Sequence, residues 1–245
     1  MKTNHFFKNA ALEALRGNWG KAVILTLLYI LLAGSFAAPT AYTSVKMQQY
    51  TRENISGMNS ISQLASIIQS PEYLTLQRQS NGTSGITTLA QIFLLMPIGL
   101  GFANAFRRLL VHKENRLLHN TVHIAFSNYW HKVWGMLLLA IFTALWSLLF
   151  IIPGIVKAYA YSMTPYILEE NPELSANEAI DRSRFMMRGH KFDLFWLQLS
   201  FIGWFFLCIF TGGIGFLWLQ PYYSCAKAAF YEEVKADYAL NGGLA

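Results

Sequence analysis

A chain of 245 residues with 54% hydrophobic and only 13% charged residues carries more apolar surface than a water-soluble domain of this length can bury. Its net charge of +6 is spread over several clusters and reads as a membrane-topology signal. No groove pattern of interleaved aromatic and basic residues is present, so nucleic-acid binding is not expected.

In chain order, Lys2, Lys8, Arg16 and Lys21 precede an apolar run over 22–38 that ends in "GSFAAPTA". Those small residues resemble a signal-peptidase site, but the long charged lead and the further apolar runs favour an uncleaved signal-anchor helix. The stretch 40–85 is rich in Ser, Gln, Asn and Thr and reads as an outer polar loop. Ile61, Leu64, Ala65 and Ile68 mark one short surface helix within it, between mobile flanks. Runs over 86–106, 133–152, 155–168, 194–210 and 214–231 complete a set of six spans, since about 20 mostly apolar residues cross a bilayer.

The run 155–168 is short, and Lys and Arg placement decides that it spans. If it does, the basic clusters before Ala22, from Arg107 to Lys132 and from Arg182 to Lys191 all fall on the cytoplasmic side. Lys46, Arg52, Arg78 and Lys157 fall outside. If it does not, the bias disappears. The reading is therefore an all-α polytopic bundle with both termini cytoplasmic. "IIPG" then joins two helices through a tight outer turn at Pro153 and Gly154.

On the cytoplasmic side, Ser175 stands three residues before Glu178, the spacing of a capping box. It opens an amphipathic helix over about 175–188, with Ala179, Ile180, Ser183, Met186 and Met187 on one face. Lying in the interface, it would offer Arg182, Arg184, Arg188 and the following Lys191 to lipid headgroups.

Three segments share one layout: "LRGNWGKAVILTLLY", "FSNYWHKVWGMLLLA" and "MMRGHKFDLFWLQLS". Each closes a lead-in segment with a small or polar pair and a basic residue, then enters a span. Trp19 aligns with Trp130, Lys21 with Lys132, and Gly189 with Gly17. Each partner helix carries one proline, Pro97, Pro165 or Pro221, which gives three pseudo-repeated helical hairpins. An interior proline bends a helix and frees a carbonyl. Tyr161, Tyr166, Gln220 and Tyr222 stand near enough to serve such carbonyls. Pro97, Tyr161, Pro165, Tyr166, Gln220, Pro221 and Tyr222 are thus the candidate pocket or kink residues, with packing alone as the other reading.

From about Asn128 to Val234 the chain resembles the bacterial integral membrane family catalogued as domain of unknown function 975. "LWSLLFIIPGI", "YSMTPYIL" and "RGHKFDLF" are the most specific elements, with a smaller echo in "LRGNWGKAV". The resemblance implies a multi-pass inner-membrane protein and brings no activity with it.

Chemistry is sparse. The spans hold no mid-depth carboxylate of the kind ion-coupled carriers use. Cys208 and Cys225 lie in apolar runs and read as buried thiols. His119 and His123 lack the glutamate of a His-Glu-x-x-His zinc site, and "TGGIG" from Thr211 reads as a turn, so neither a metal nor a cofactor is expected. The expected function is non-enzymatic: a membrane component that organises lipids or other membrane proteins. The alternative is a transporter of a small solute or lipid, with its pocket between the proline-bearing helices.

Overall fold

The computed structural model describes residues 2–55 and 61–240, and among these every regular element is a helix. In chain order they are α1 (Asn4–Leu15), α2 (Trp19–Ile55), α3 (Ile61–Ile68), α4 (Pro71–Ala90), a wider π turn at Gln91–Leu95, α5 (Met96–His112), α6 (Leu117–Phe126) and α7 (Tyr129–Leu149). There follow α8 (Ile151–Ala160), α9 (Thr164–Glu170), α10 (Ala176–Met186), α11 (Lys191–Leu199), α12 (Ile202–Phe210) and α13 (Phe216–Leu240). The contacts divide the chain into two compact units, Leu28–Leu95 and the remainder.

The unit Leu28–Leu95 corrects the expected loop over 40–85. Apart from residues 56–60, which lie outside the described residues, nearly all of it is helical. Its composition suits a loop only while the hydroxyls lack partners. Here Thr51, Thr83 and Thr87 each donate to a carbonyl one turn back. Others reach across: Thr40 pairs with Thr87 at 2.7 Å, Thr43 with Thr83 at 3.2 Å and Tyr50 with Ser70 at 2.8 Å. Ser70 caps α4 by accepting from the Tyr73 amide, with Pro71 in the first turn where its missing N–H costs nothing.

In the larger unit α1 packs on α13, α5 on α6 and on α13, α7 on α8, and α10 on α7 and α9. Phe7, Leu15, Leu100, Phe106, Ile124 and Phe230 are fully enclosed. Gly101 allows the closest approach of α5 to α6, because a Cβ there would run into the backbone oxygen of Thr121.

The turn between α7 and α8 is made by Phe150, whose backbone is extended at φ −156° and ψ 142°. Pro153 and Gly154 belong to the first turn of α8 instead of forming the reversal. Proline is tolerated there because the first helical amides have no partner to lose. Gly154 is required for approach: a Cβ would lie 2.5 Å from Ser147 Oγ and 2.6 Å from its Cα.

Two apolar runs are broken helices. After Ala160 the chain turns and restarts at Thr164 with Pro165 in the first turn, so Pro165 opens a helix and does not kink one. Ser183 of α10 stitches this break, accepting from the Met163 amide at 3.2 Å and donating to the Ala160 carbonyl at 2.9 Å. The second break separates α11 from α12 at Ser200 and Phe201. Among the described residues four stretches are long and apolar enough to cross a membrane: Trp19–Asn54, Pro71–His112, Tyr129–Leu149 and Lys191–Phe210.

Candidate functional site

Helices α5, α9 and α13, which carry Pro97, Pro165 and Pro221, converge on a network of charges. Tyr166 of α9 stacks on Tyr231 of α13 with centroids 4.8 Å apart. Asn104 donates to the Pro165 carbonyl at 3.0 Å and accepts from Arg107 Nε at 3.3 Å. Arg107 Nη1 then lies 2.6 Å from Glu170 Oε1 and 3.0 Å from Glu232 Oε1. Glu170 also accepts from Lys235 at 2.6 Å and from the Tyr231 hydroxyl.

The neighbouring Glu169 joins two more elements. Arg108 Nη2 donates to it at 2.8 Å and Lys132 Nζ at 2.5 Å. Lys132, at the start of α7, is 1% exposed. It also donates to the Ile124 carbonyl and to Ser127 Oγ, and so closes the end of α6.

Burying ions costs several kcal/mol each unless hydrogen bonds saturate them, and here each buried charge has more than one partner. Burial pushes the Glu170 carboxyl up. The Lys235 and Tyr231 hydrogen bonds and the Arg107 and Lys235 charges outweigh that, and the net shift is below the ordinary glutamate value. Beside the network lies a polar pocket of about 440 Å³, reached by Arg108, His112, Glu114, Asn171 and Arg182. Chemically this is a clasp: guanidinium and ammonium groups are matched to carboxylates from different helices.

The sequence signal for this clasp was present as three charged pairs, Arg107–Arg108, Glu169–Glu170 and Glu232–Glu233, near the ends of three apolar runs. Only the fold shows that they meet.

The predicted pocket or kink residues lie in several places. Pro97 is buried in the first turn of α5, directly after the π turn, and Pro221 is buried inside α13. Tyr161 packs with Ala160 and Ile180, against Leu138, Leu139 and Phe142. Pro165 and Tyr166 belong to the clasp. Gln220 faces a groove beside α11 and α12, and Tyr222 a separate apolar pocket with Leu12, Trp19 and Trp204.

The capping box of α10 is formed: Ser175 Oγ accepts from the Glu178 amide at 3.3 Å, and Glu178 accepts from the Ser175 amide at 2.7 Å. The apolar face, however, is enclosed by the protein. Ala179, Ile180, Ser183, Met186 and Met187 are buried, and α10 packs against α7, α8 and α9. Arg182 donates to Asn171 at 3.2 Å, Arg184 pairs with Asp181 at 3.1 Å, and Arg188 lies 4.1 Å over the Phe185 ring. Lys191 opens α11 on the rim of an apolar groove with Phe192 and Phe195.

Described residues that are all helical in their regular elements, four such apolar stretches among them, and Leu148, Ile151, Phe192 and Phe210 among the most exposed large apolar side chains fit a helical membrane protein. Residues 148–238 match the model of the family described as Protein of unknown function (DUF975), in accord with the resemblance read from the sequence. No curated protein and no solved structure gives a significant match.

Proposed function

We propose that this is a non-enzymatic inner-membrane protein of six spans with both termini cytoplasmic. It is built as three helical hairpins and organises anionic lipid through the basic residues where the hairpins begin. The observation that carries this reading is the backbone at three aligned junctions. Gly17, Asn128 and Gly189 have φ of 80°, 46° and 83°, the left-handed conformation, and each joins a short helix to an apolar one.

The packing supports the same plan. The short helices α6 and α10 pack on the proline-bearing helices that precede them, α5 and α9, while α1 packs on α13 and closes the set. An exposed aromatic side chain next to a basic one, Phe192 beside Lys191, suits a headgroup boundary.

The test is native mass spectrometry of the full chain in phosphatidylcholine nanodiscs titrated with phosphatidylglycerol. The triple variant Arg184→Gln, Arg188→Gln, Lys191→Gln is expected to lose the retained anionic lipid, and unchanged retention would remove the lipid-organising role. Cysteine placed at Asn171 should react with an impermeant label only from the cytoplasmic side. Labelling from outside would overturn the topology.

A further inference from the structure

Within the candidate span Lys191–Phe210, Gln198 sits between two phenols. Tyr159 donates to its Oε1 at 2.5 Å, and its Nε2 donates to the Tyr223 oxygen at 2.7 Å. In this arrangement the Gln198 amide accepts from one phenol and donates to the other, which leaves the Tyr223 hydroxyl hydrogen over. Both phenols line a groove of about 460 Å³ walled by Phe195, Phe201, Phe205 and Phe216. Phe201 meets the Tyr223 ring edge-on at 5.6 Å, and Phe205 meets Phe216 at 5.4 Å. Gln220 also lines the groove, and its exposed amide has no hydrogen-bond partner among the described residues.

An amide or hydroxyl donor facing hydrocarbon without a partner costs a few kcal/mol. A groove of a few hundred Å³ with aromatic walls and a few convergent polar groups has the make-up of a ligand site. The groups left over include two donors, the Tyr223 O–H and the Gln220 N–H₂, and one carbonyl oxygen can accept from both. The walls are rings, which favour a flat partner by stacking over a flexible acyl chain.

We infer that this groove binds a lipid-soluble molecule of the quinone class, its ring among the phenylalanines and a carbonyl oxygen on Tyr223 and Gln220. Binding alone is inferred, with no redox step. The site is separate from the basic junctions, so its failure leaves the lipid-organising reading standing, and the reverse also holds.

The experiment uses the full chain in phosphatidylcholine nanodiscs titrated with decylubiquinone, read by quenching of tryptophan fluorescence. Wild type should show saturable quenching with about one site per chain. Tyr223→Phe and Gln220→Leu, each removing about one net hydrogen bond, should each weaken binding about five-fold. A thermal melt of each variant checks that it is folded. Competition by ethyl oleate, an ester carbonyl without a ring, needs no variant and should leave the curve unmoved. Quenching that never saturates, that is unchanged from wild type in both folded variants, or that ethyl oleate displaces would overturn the inference.

Discussion

Lys8 Nζ donates to the backbone carbonyl of Ser200 at 2.8 Å, where α11 stops short of α12, and lies 4.6 Å from the centroid of the Phe201 ring. A side chain 192 positions away in sequence thus satisfies a carbonyl that the broken helix leaves open. Lys8→Met should lower stability by about 1–3 kcal/mol, the cost of stranding that acceptor, and Lys8→Arg should recover part of the loss. Thermal unfolding in detergent measures both; a methionine variant that melts with wild type would mean the carbonyl is served by something else.

Arg107 holds α9 and α13 to α5. Replacing it with methionine leaves Glu170 and Glu232 facing each other across a partly buried site without their shared cation. The expected loss is about 3–5 kcal/mol, as for a broken buried ion pair. Glu232→Gln in the Arg107→Met background should cost much less than in wild type, because the partner is already gone. Simple additivity in that double-mutant cycle would show the contact to be energetically idle.

The sign of the pH response follows from Glu170. Its carboxyl is held below its ordinary value of 4.5 in the folded chain, so its contribution is fully present above the unfolded value and is lost as pH falls through the folded one. Melting temperature should therefore hold near neutrality and decline as the buffer is taken into and below the ordinary glutamate range. Glu170→Gln should melt lower at neutral pH and show a shallower acid decline. An acid limb of unchanged slope in the variant would assign the effect to other carboxylates.

Two helical glycines separate packing from propensity. At Gly101 a methyl group would meet the backbone of Thr121, which cannot swing aside, and Gly101→Ala should destabilise by about 1–3 kcal/mol. At Gly20 nothing lies within 4 Å of the added atom, so Gly20→Ala should be neutral or stabilising by up to about 1 kcal/mol. The comparison is read from paired melts.

The three left-handed junctions make a matched set. Gly17→Ala and Gly189→Ala should each cost about 1–2 kcal/mol, whereas Asn128→Gly should cost nothing or gain slightly, since it removes a side chain from a strained backbone. Equal effects at all three positions, in either direction, would contradict the common backbone on which the hairpin plan rests.

Local chemistry was legible where it acts over a few residues. Ser175 with Glu178 forms the capping box, and the α3 apolar spacing lands on Ile61–Ile68. Misreadings arose where a distant partner changes what a residue means. A Thr- and Ser-rich stretch reads as loop until its hydroxyls close on the preceding turn and on a second helix. The α10 stripe reads as lipid-facing until α7, α8 and α9 cover it. Pro153 and Gly154 read as a reversal because the pair is compatible with one, but extended Phe150 makes the turn and leaves Gly154 to admit Ser147.

Hydrophobic run length and low charge density were enough to determine a helical chain dressed for hydrocarbon, because every backbone amide in that medium must be satisfied within its own segment. Tertiary structure alone decided which charges are neutralised. Arg107, Lys132, Glu169 and Glu170 carry no sign of pairing in their own neighbourhoods, and whether a charge is tolerable inside a protein depends on what folds against it.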